Sequence, residues 1–261
     1  MKASALNTDS NTGLTFKVKA LGVLVFMLGY LFFLVQDAPA RLLTRWLPSD
    51  LAVNGVSGTV WHGQIDAVRW RGSDVGTVSW DVTFSGLMPA LAVAFDSPDG
   101  PRGKGVIRGW QQAQLFQWQV SVPAAYVVNK LPLIVPVSAQ GNVQLRLQHA
   151  IVDPRGCQSL SATLNWQDAA LGTPLGTVAL AQPQVQLNCH EGRLEMALRQ
   201  QSPYVQITGK GSLAASGEYQ FDGRVASGDA MPQAIGRILS TQGNADTQGG
   251  RLLRFQGRLA L

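Results

Sequence analysis

Val78-Ser79-Trp80-Asp81-Val82-Thr83-Phe84-Ser85 alternates apolar and polar residues without a slip. Successive side chains of a strand point to opposite faces, so Val78, Trp80, Val82 and Phe84 share one face and Ser79, Asp81, Thr83 and Ser85 the other. The same period recurs outward from this octet. Upstream, Gly55-Val56-Ser57-Gly58-Thr59-Val60-Trp61-His62-Gly63 reads as a glycine-punctuated strand pair. Downstream come Phe116/Trp118/Val120, Val143/Leu145/Leu147, Val185/Leu187/Cys189, Leu194/Met196/Leu198, Val205/Ile207, Tyr219/Phe221/Val225 and finally Leu253/Phe255/Leu259/Leu261. Asp99-Gly100, Asp153-Pro154-Arg155-Gly156, Glu191-Gly192 and Ser216-Gly217 supply turns between them. The expected fold is all-β: antiparallel strands with one buried face, arranged as curved sheets or a sandwich. Two segments break the period, Pro123 to Leu131 and Pro232 to Leu239, and each reads as a short proline-started helix able to plug the end of a sheet.

Composition narrows the function classes. The 261 residues carry a net charge of +5, and only 14% are charged. The basic residues Arg69, Arg71, Arg102, Lys104, Arg193 and Arg199 are scattered singly. A nucleic-acid footprint needs a denser stripe interleaved with aromatics, so nucleic acid is not expected as a partner.

Residues 20–35, ALGVLVFMLGYLFFLV, carry no charge and are flanked by Lys17 and Lys19 before and Asp37 after. As a helix the run reaches about 24 Å against a hydrocarbon core of about 30 Å, short for a span unless Thr15, Phe16 and the stems of the two lysines extend it. Ala38-Pro39-Ala40 mimics a signal-peptidase site, so a cleaved signal is the rival reading, and a buried core helix the third. The long lead-in and the internal proline favour an uncleaved anchor. The expected organisation is then a cytoplasmic tail at 1–19, a transmembrane helix at 20–36, a juxtamembrane linker at 37–50 and an exported β domain at 51–261. Leu42, Leu43, Trp46 and Leu47 share a helical face in the linker. Leu131-Pro132-Leu133-Ile134-Val135-Pro136 is a plausible seam between halves 51–136 and 137–261. Lys2, Lys17 and Lys19 bias the N-terminus toward the cytoplasm.

Cys157 and Cys189 are the two cysteines. In an exported chain a lone pair reads as one disulfide; two unpaired buried thiols are the alternative.

The search for chemistry returns little. His62, His149 and His190 lack ligand spacing, and Cys189-His190 has no second pair, so no metal is expected. Gly209-Lys210-Gly211-Ser212 lacks the upstream glycine of a phosphate loop. Asp66, Asp74, Asp81, Glu191 and Glu195 fall on turns or polar faces, where solvation explains them. No catalytic or cofactor-binding residue is expected. An apolar sheet face left open as a groove would suit acyl chains; a filled core is the plainer alternative.

Several features in order resemble one family. After the short anchor comes Leu51-x-Val53-x-Gly55-Val56-Ser57-Gly58-Thr59-Val60-Trp61-x-Gly63, then Trp80 and the 131–136 break. Cys157 and Cys189 follow, flanking Leu171-Gly172 and Leu175-Gly176, and a Phe-x-Gly-x-Leu ending lies at 255–259. This resembles the N component of the type II (general) secretion pathway of Gram-negative bacteria. The resemblance implies a non-enzymatic, single-pass inner-membrane protein with a periplasmic β domain. Its implied partners are other components, the inner-membrane platform and the outer-membrane secretin, and its implied motif positions are Gly55, Gly58, Trp61 and Gly63. The family is also similar in fold to the AsmA-like lipid-handling proteins, which makes a lipid-binding or lipid-transfer module the alternative function.

Overall fold

The computed structural model describes residues 10–85, 88–109, 112–129, 137–153, 156–174, 176–241, 244–246 and 250–258. The start of the tail, the 131–136 seam, the Pro154-Arg155 part of one expected turn, Leu259 and Leu261 lie outside them, as does the Trp46 side chain.

A helix, α1 (Ser10–Gln36), leads into a 3-10 turn at Ala40–Trp46. Six strands follow: β1 (Leu51–Gly58), β2 (His62–Trp70), β3 (Ser73–Ser85), β4 (Met88–Asp96), β5 (Arg102–Arg108) and β6 (Ala113–Pro123). Helix α2 (Ala124–Asn129) precedes β7 (Ser138–Asp153), β8 (Gly156–Thr173), β9 (Gly176–Ala181), β10 (Gln184–His190), β11 (Arg193–Gln201), β12 (Val205–Leu213) and β13 (Glu218–Ser227). Helix α3 (Gln233–Thr241), β14 (Asn244–Ala245) and β15 (Arg251–Arg258) close the described chain. Both helices begin beside the prolines that marked them in the sequence. Pro123 and Pro232 stand immediately before the first helical residue, where the fixed proline φ suits the entry into a helix.

All the described strands belong to one hydrogen-bonded sheet, each pairing antiparallel with its sequence neighbour almost throughout. There are two exceptions: β13 pairs with β15, leaving β14 on the outer side of β15, and one edge of β8 takes β9 along residues 169–173 and β10 along residues 161–165, so β9 and β10 lie end to end. At about 4.8 Å per strand the sheet is roughly 60 Å wide along its hydrogen bonds.

Opposed residues share a face, so the registers show how apolar character passes across the sheet. Ile65 faces Val78, which faces Phe95, then Gly103, Val120, Leu145, Leu164, Val185, Leu198, Gly209, Gly223 and Leu253. One residue along, Ser79, Ala94, Lys104, Gln119, Arg146, Thr163, Gln186, Ala197, Lys210, Asp222 and Arg254 run over the other face. The period-two pattern thus yields one continuous apolar face and one polar face.

The burial pattern distinguishes this sheet from two facing sheets of a sandwich. Among the described residues, the buried apolar set holds only alanines, valines and Leu180. Facing sheets would enclose their large side chains. Here Trp80, Phe95, Trp118, Leu145, Leu164, Leu187, Met196 and Phe221 are all only half-buried. A fully enclosed cluster does form at one end, where Ala169, Val178, Leu180, Val205 and Val225 pack with Met231 and with Ile235 of α3.

Cys157 at the start of β8 and Cys189 at the end of β10 are joined in a disulfide, with Cα atoms 5.9 Å apart and a sequence separation of 32. The bond crosses adjacent strands beyond the last β8–β10 ladder pair, Asn188–Ser161. Closing a loop of that length should contribute roughly 3–4 kcal/mol in the chain-entropy model. Replacing both cysteines by serine is expected to lower the urea-unfolding free energy by about that amount, and unchanged stability would show that the bond constrains nothing.

Candidate functional site

The motif residues Gly55, Gly58, Trp61 and Gly63 come together in the β1–β2 hairpin, where that hairpin meets the end of α1. Gly58 has φ +87, and a Cβ there would strike the His62 carbonyl, so the turn needs glycine. The Thr59 N–H bonds the His62 carbonyl at 2.8 Å and closes the turn. Gly55 also has a positive φ, at +70, and the Asp66 side chain occupies the space its Cβ would take. Gly63 lies beneath the Trp80 indole, whose Nε1–H donates to the Val60 carbonyl at 3.1 Å. That bond and the missing Cβ let the ring lie flat over β2.

Trp61 reaches back to the helix instead. Its Nε1–H donates to the Val35 carbonyl at 2.8 Å, in the last turn of α1. Helix C-termini leave carbonyls without intrahelical partners, and Trp61 satisfies one of them. Beside it the Val60 N–H donates to the Ala38 carbonyl at 2.9 Å, and Pro39 forms a bridge with Thr59. Ala40 is only 1% exposed. The small-x-small triplet is therefore woven into the hairpin. The 3-10 turn that follows packs back along β1.

Helix α1 itself shows apolar side chains in every direction. Leu21, Val23, Leu24, Val25, Phe26 and Met27 are exposed, as are the large residues from Leu28 to Val35. Nothing lies within 4 Å of where Cβ atoms on Gly22 and Gly29 would stand. Among the described residues, no helix is long and apolar enough to cross a membrane.

The apolar face of the sheet is the second feature. Its aromatic rings lie across glycines of the neighbouring strand, Trp118 over Gly105 and Phe221 over Gly209, which keeps that face low and even. The indole N–H groups are spent on backbone carbonyls: Trp118 on Val106 at 3.3 Å and Trp166 on Gln140 at 2.8 Å. The face consequently presents little polarity. At one border Tyr126 of α2 reaches across the β4–β5 turn and donates from its hydroxyl to the Asp74 carbonyl at 3.4 Å.

The polar face carries a shallow cleft of about 750 Å³ near β10 to β15, lined by Gln186, Arg199, Lys210, Asp222 and Arg254 among others. Asp222 sits with its carboxyl below the usual carboxylate range. The hydrogen bond from Arg254 is the main cause, followed by one from Gln220. The charges alternate across strands (Lys210, Asp222, Arg254), and the Arg254 side chain bonds Asp222 across the β13–β15 ladder. No three His, Cys, Asp or Glu side chains among the described residues gather to hold a metal ion. His190 lies 3.8 Å from Glu191 at a highly exposed turn, and His149 bonds Ser159 on the neighbouring strand. Cys157 and Cys189 stand apart from the β1–β2 motif, on strands of the other half of the sheet.

Reading the sequence located the glycines and Trp61 but missed their counterpart, the Val35 carbonyl, which as a backbone atom leaves no mark in side-chain patterns. It also treated the β3–β4 tip as ordinary strand. The signal there was the absence of any charge from residue 82 to residue 95.

Fold and junction together define a class: wide, single-sheet antiparallel proteins whose first hairpin is bonded to a preceding apolar helix. A family model described as type II secretion system (T2SS), protein N, matches residues 49–254. A relative named type II secretion system protein N from Pectobacterium carotovorum subsp. carotovorum is 49% identical over 234 residues, covering 89% of this chain and 94% of its own. Relatives of the same name from Klebsiella pneumoniae and Aeromonas hydrophila are 34% and 31% identical, covering 87% and 93% of this chain and 91% and 100% of theirs. No solved structure matches the chain. The chain belongs to the type II secretion system protein N family.

Two substitutions separate the parts of the junction. Gly63→Ala places a methyl against both the Trp80 ring and the Ser57 carbonyl and should cost roughly 1–3 kcal/mol. Trp61→Phe keeps an aromatic side chain, though a smaller one, and deletes one hydrogen bond to α1, at about 1 kcal/mol. Urea unfolding followed by tryptophan emission checks both, and a larger loss for Trp61→Phe than for Gly63→Ala would reverse this ordering.

Proposed function

We propose that this chain is a non-enzymatic component of a type II secretion system, held at the inner membrane by α1, with its sheet in the periplasm. The observation that carries the reading is the family match over residues 49–254. The exposed, all-round apolar surface of α1 supports the anchor, since a helix without a polar face is stable only inside a large core or a membrane. The use of Ala38, Pro39 and Ala40 in the folded hairpin supports retention of the helix without cleavage. On this reading residues 1–19 are cytoplasmic, 20–36 span the membrane, 37–50 link and 51–261 form the periplasmic domain. The domain works by contact with the inner-membrane platform and the secretin. The outer edge of β15 beyond Leu252, which has no strand partner among the described residues, is a place where a partner strand can add.

Deleting the gene is expected to lower export of folded proteins across the outer membrane while transport across the inner membrane continues. Unchanged export together with unchanged secretin assembly would defeat the proposal.

A second reading, a lipid-binding or lipid-transfer module, is favoured by one observation: the continuous, half-buried apolar face. Acyl chains laid across it would cover what no described element covers. Native mass spectrometry of the full chain extracted in mild detergent should then find bound phospholipid. Lipid-free protein after gentle extraction would remove this reading.

A further inference from the structure

The β3–β4 hairpin ends in a feature that neither the family match nor the sheet requires. Val82 donates its N–H to the Trp61 carbonyl at 2.6 Å, level with the β1–β2 tip. Strands β3 and β4 then continue together for three more ladder pairs, Thr83–Ala90, Phe84–Pro89 and Ser85–Met88. At 3.3 Å per residue the tip therefore stands about 10 Å beyond the β1–β2 turn. Two large apolar side chains sit at this projection, and the alternation of the strands puts them on opposite faces. Phe84 is 64% exposed and Met88 69% exposed. A tip meant only to extend the apolar face would be apolar on one side. This one is apolar on both, within a run free of charge from residue 82 to residue 95. Water is a poor solvent for such a projection.

Its occupant is indicated by what stands next to it. The Trp61 ring lies 6.2 Å from the Phe84 ring, centroid to centroid, and the same indole donates to Val35 at the end of α1. One side chain thus touches both the final helical turn and the projecting tip. If α1 lies in a bilayer, Trp61 falls at the interface, where tryptophan is favoured, and the tip projects past that level with Phe84 against the Trp61 ring. We infer that the β3–β4 tip, through Phe84 and Met88, is a second membrane contact that dips into the lipid interface beside α1 and fixes the orientation of the sheet on the bilayer. The inference rests on the anchor reading above. Its physical consequence is that the domain does not swing on a flexible tether. Two neighbouring hairpins and a helix end hold it at one corner, with the apolar face beginning at the lipid surface.

The test uses the full chain reconstituted in vesicles of phosphatidylethanolamine and phosphatidylglycerol, with an environment-sensitive fluorophore on Met88→Cys or, separately, Phe84→Cys. Both sites are exposed, and each variant is first checked for the parent unfolding transition and an intact Cys157–Cys189 bond. The control is Asp99→Cys in the β4–β5 turn, at the opposite end of β4 and about 25 Å away. Lipids with a quencher near the headgroup are expected to quench the labels at 84 and 88 at least about threefold more than the label at 99. If the chain floats with the vesicles but the tip labels are quenched no more than the control, the tip contact is wrong and the anchor stands. Tip labels shielded from water without lipid quenching would indicate a protein occupant and would overturn the inference too. A chain that fails to float with vesicles overturns both the anchor and the tip contact.

Discussion

A sheet with one apolar face needs a cover for that face, and the rest of this molecule follows from how little cover the described chain supplies. Helix α3 encloses a small cluster at one end, and α2 packs against the ends of β6 and β7. Between them the face is coated mainly by its own side chains, with rings lying down over glycines. This arrangement limits the area lost to water without burying it. Half-buried leucines and tryptophans contribute less than enclosed ones, because hydrophobic stabilisation scales with the area removed from solvent. Backbone ladders therefore carry an unusual share of the structural definition, and the disulfide and the cross-strand Asp222–Arg254 pair reinforce them locally.

That economy of burial connects fold with function. A closed sandwich would present only a polar exterior and its edges. A single open sheet presents two unlike faces, roughly 60 Å wide, plus the outer edge of β15. Such a shape suits a part whose work is to hold other things, either protein components along its edges or apolar chains along its face.

The junction at Trp61 couples the sheet to whatever α1 occupies. Had the linker between α1 and β1 been loose, the helix would only fix location. Instead the Ala38 and Val35 carbonyls accept from β1–β2 backbone and indole N–H groups, and Pro39 bridges Thr59. The chain then doubles back through the 3-10 turn before entering β1. Anything that fixes the direction of α1 is thereby transmitted to the first two strands, which makes orientation a property of the folded protein.

Much of this was legible in the residues. Alternation set the strands and their faces, because a period of two admits only a half-buried strand. Prolines marked the starts of α2 and α3, glycines marked the β1–β2 turn, and the pair of cysteines marked the bond between β8 and β10. The choice between one sheet and two was not legible. A strand whose apolar face lies open and one whose apolar face packs on a second sheet share the same alternation, and only the packing of side chains against a second layer, or the lack of it, distinguishes them. Nor could the sequence place Phe84 beside the end of α1, since that proximity passes through the Trp61 ring to a backbone carbonyl and depends on a three-residue extension of the β3–β4 ladder. Local pattern determined which side chains share a face; long-range register decided what each face meets.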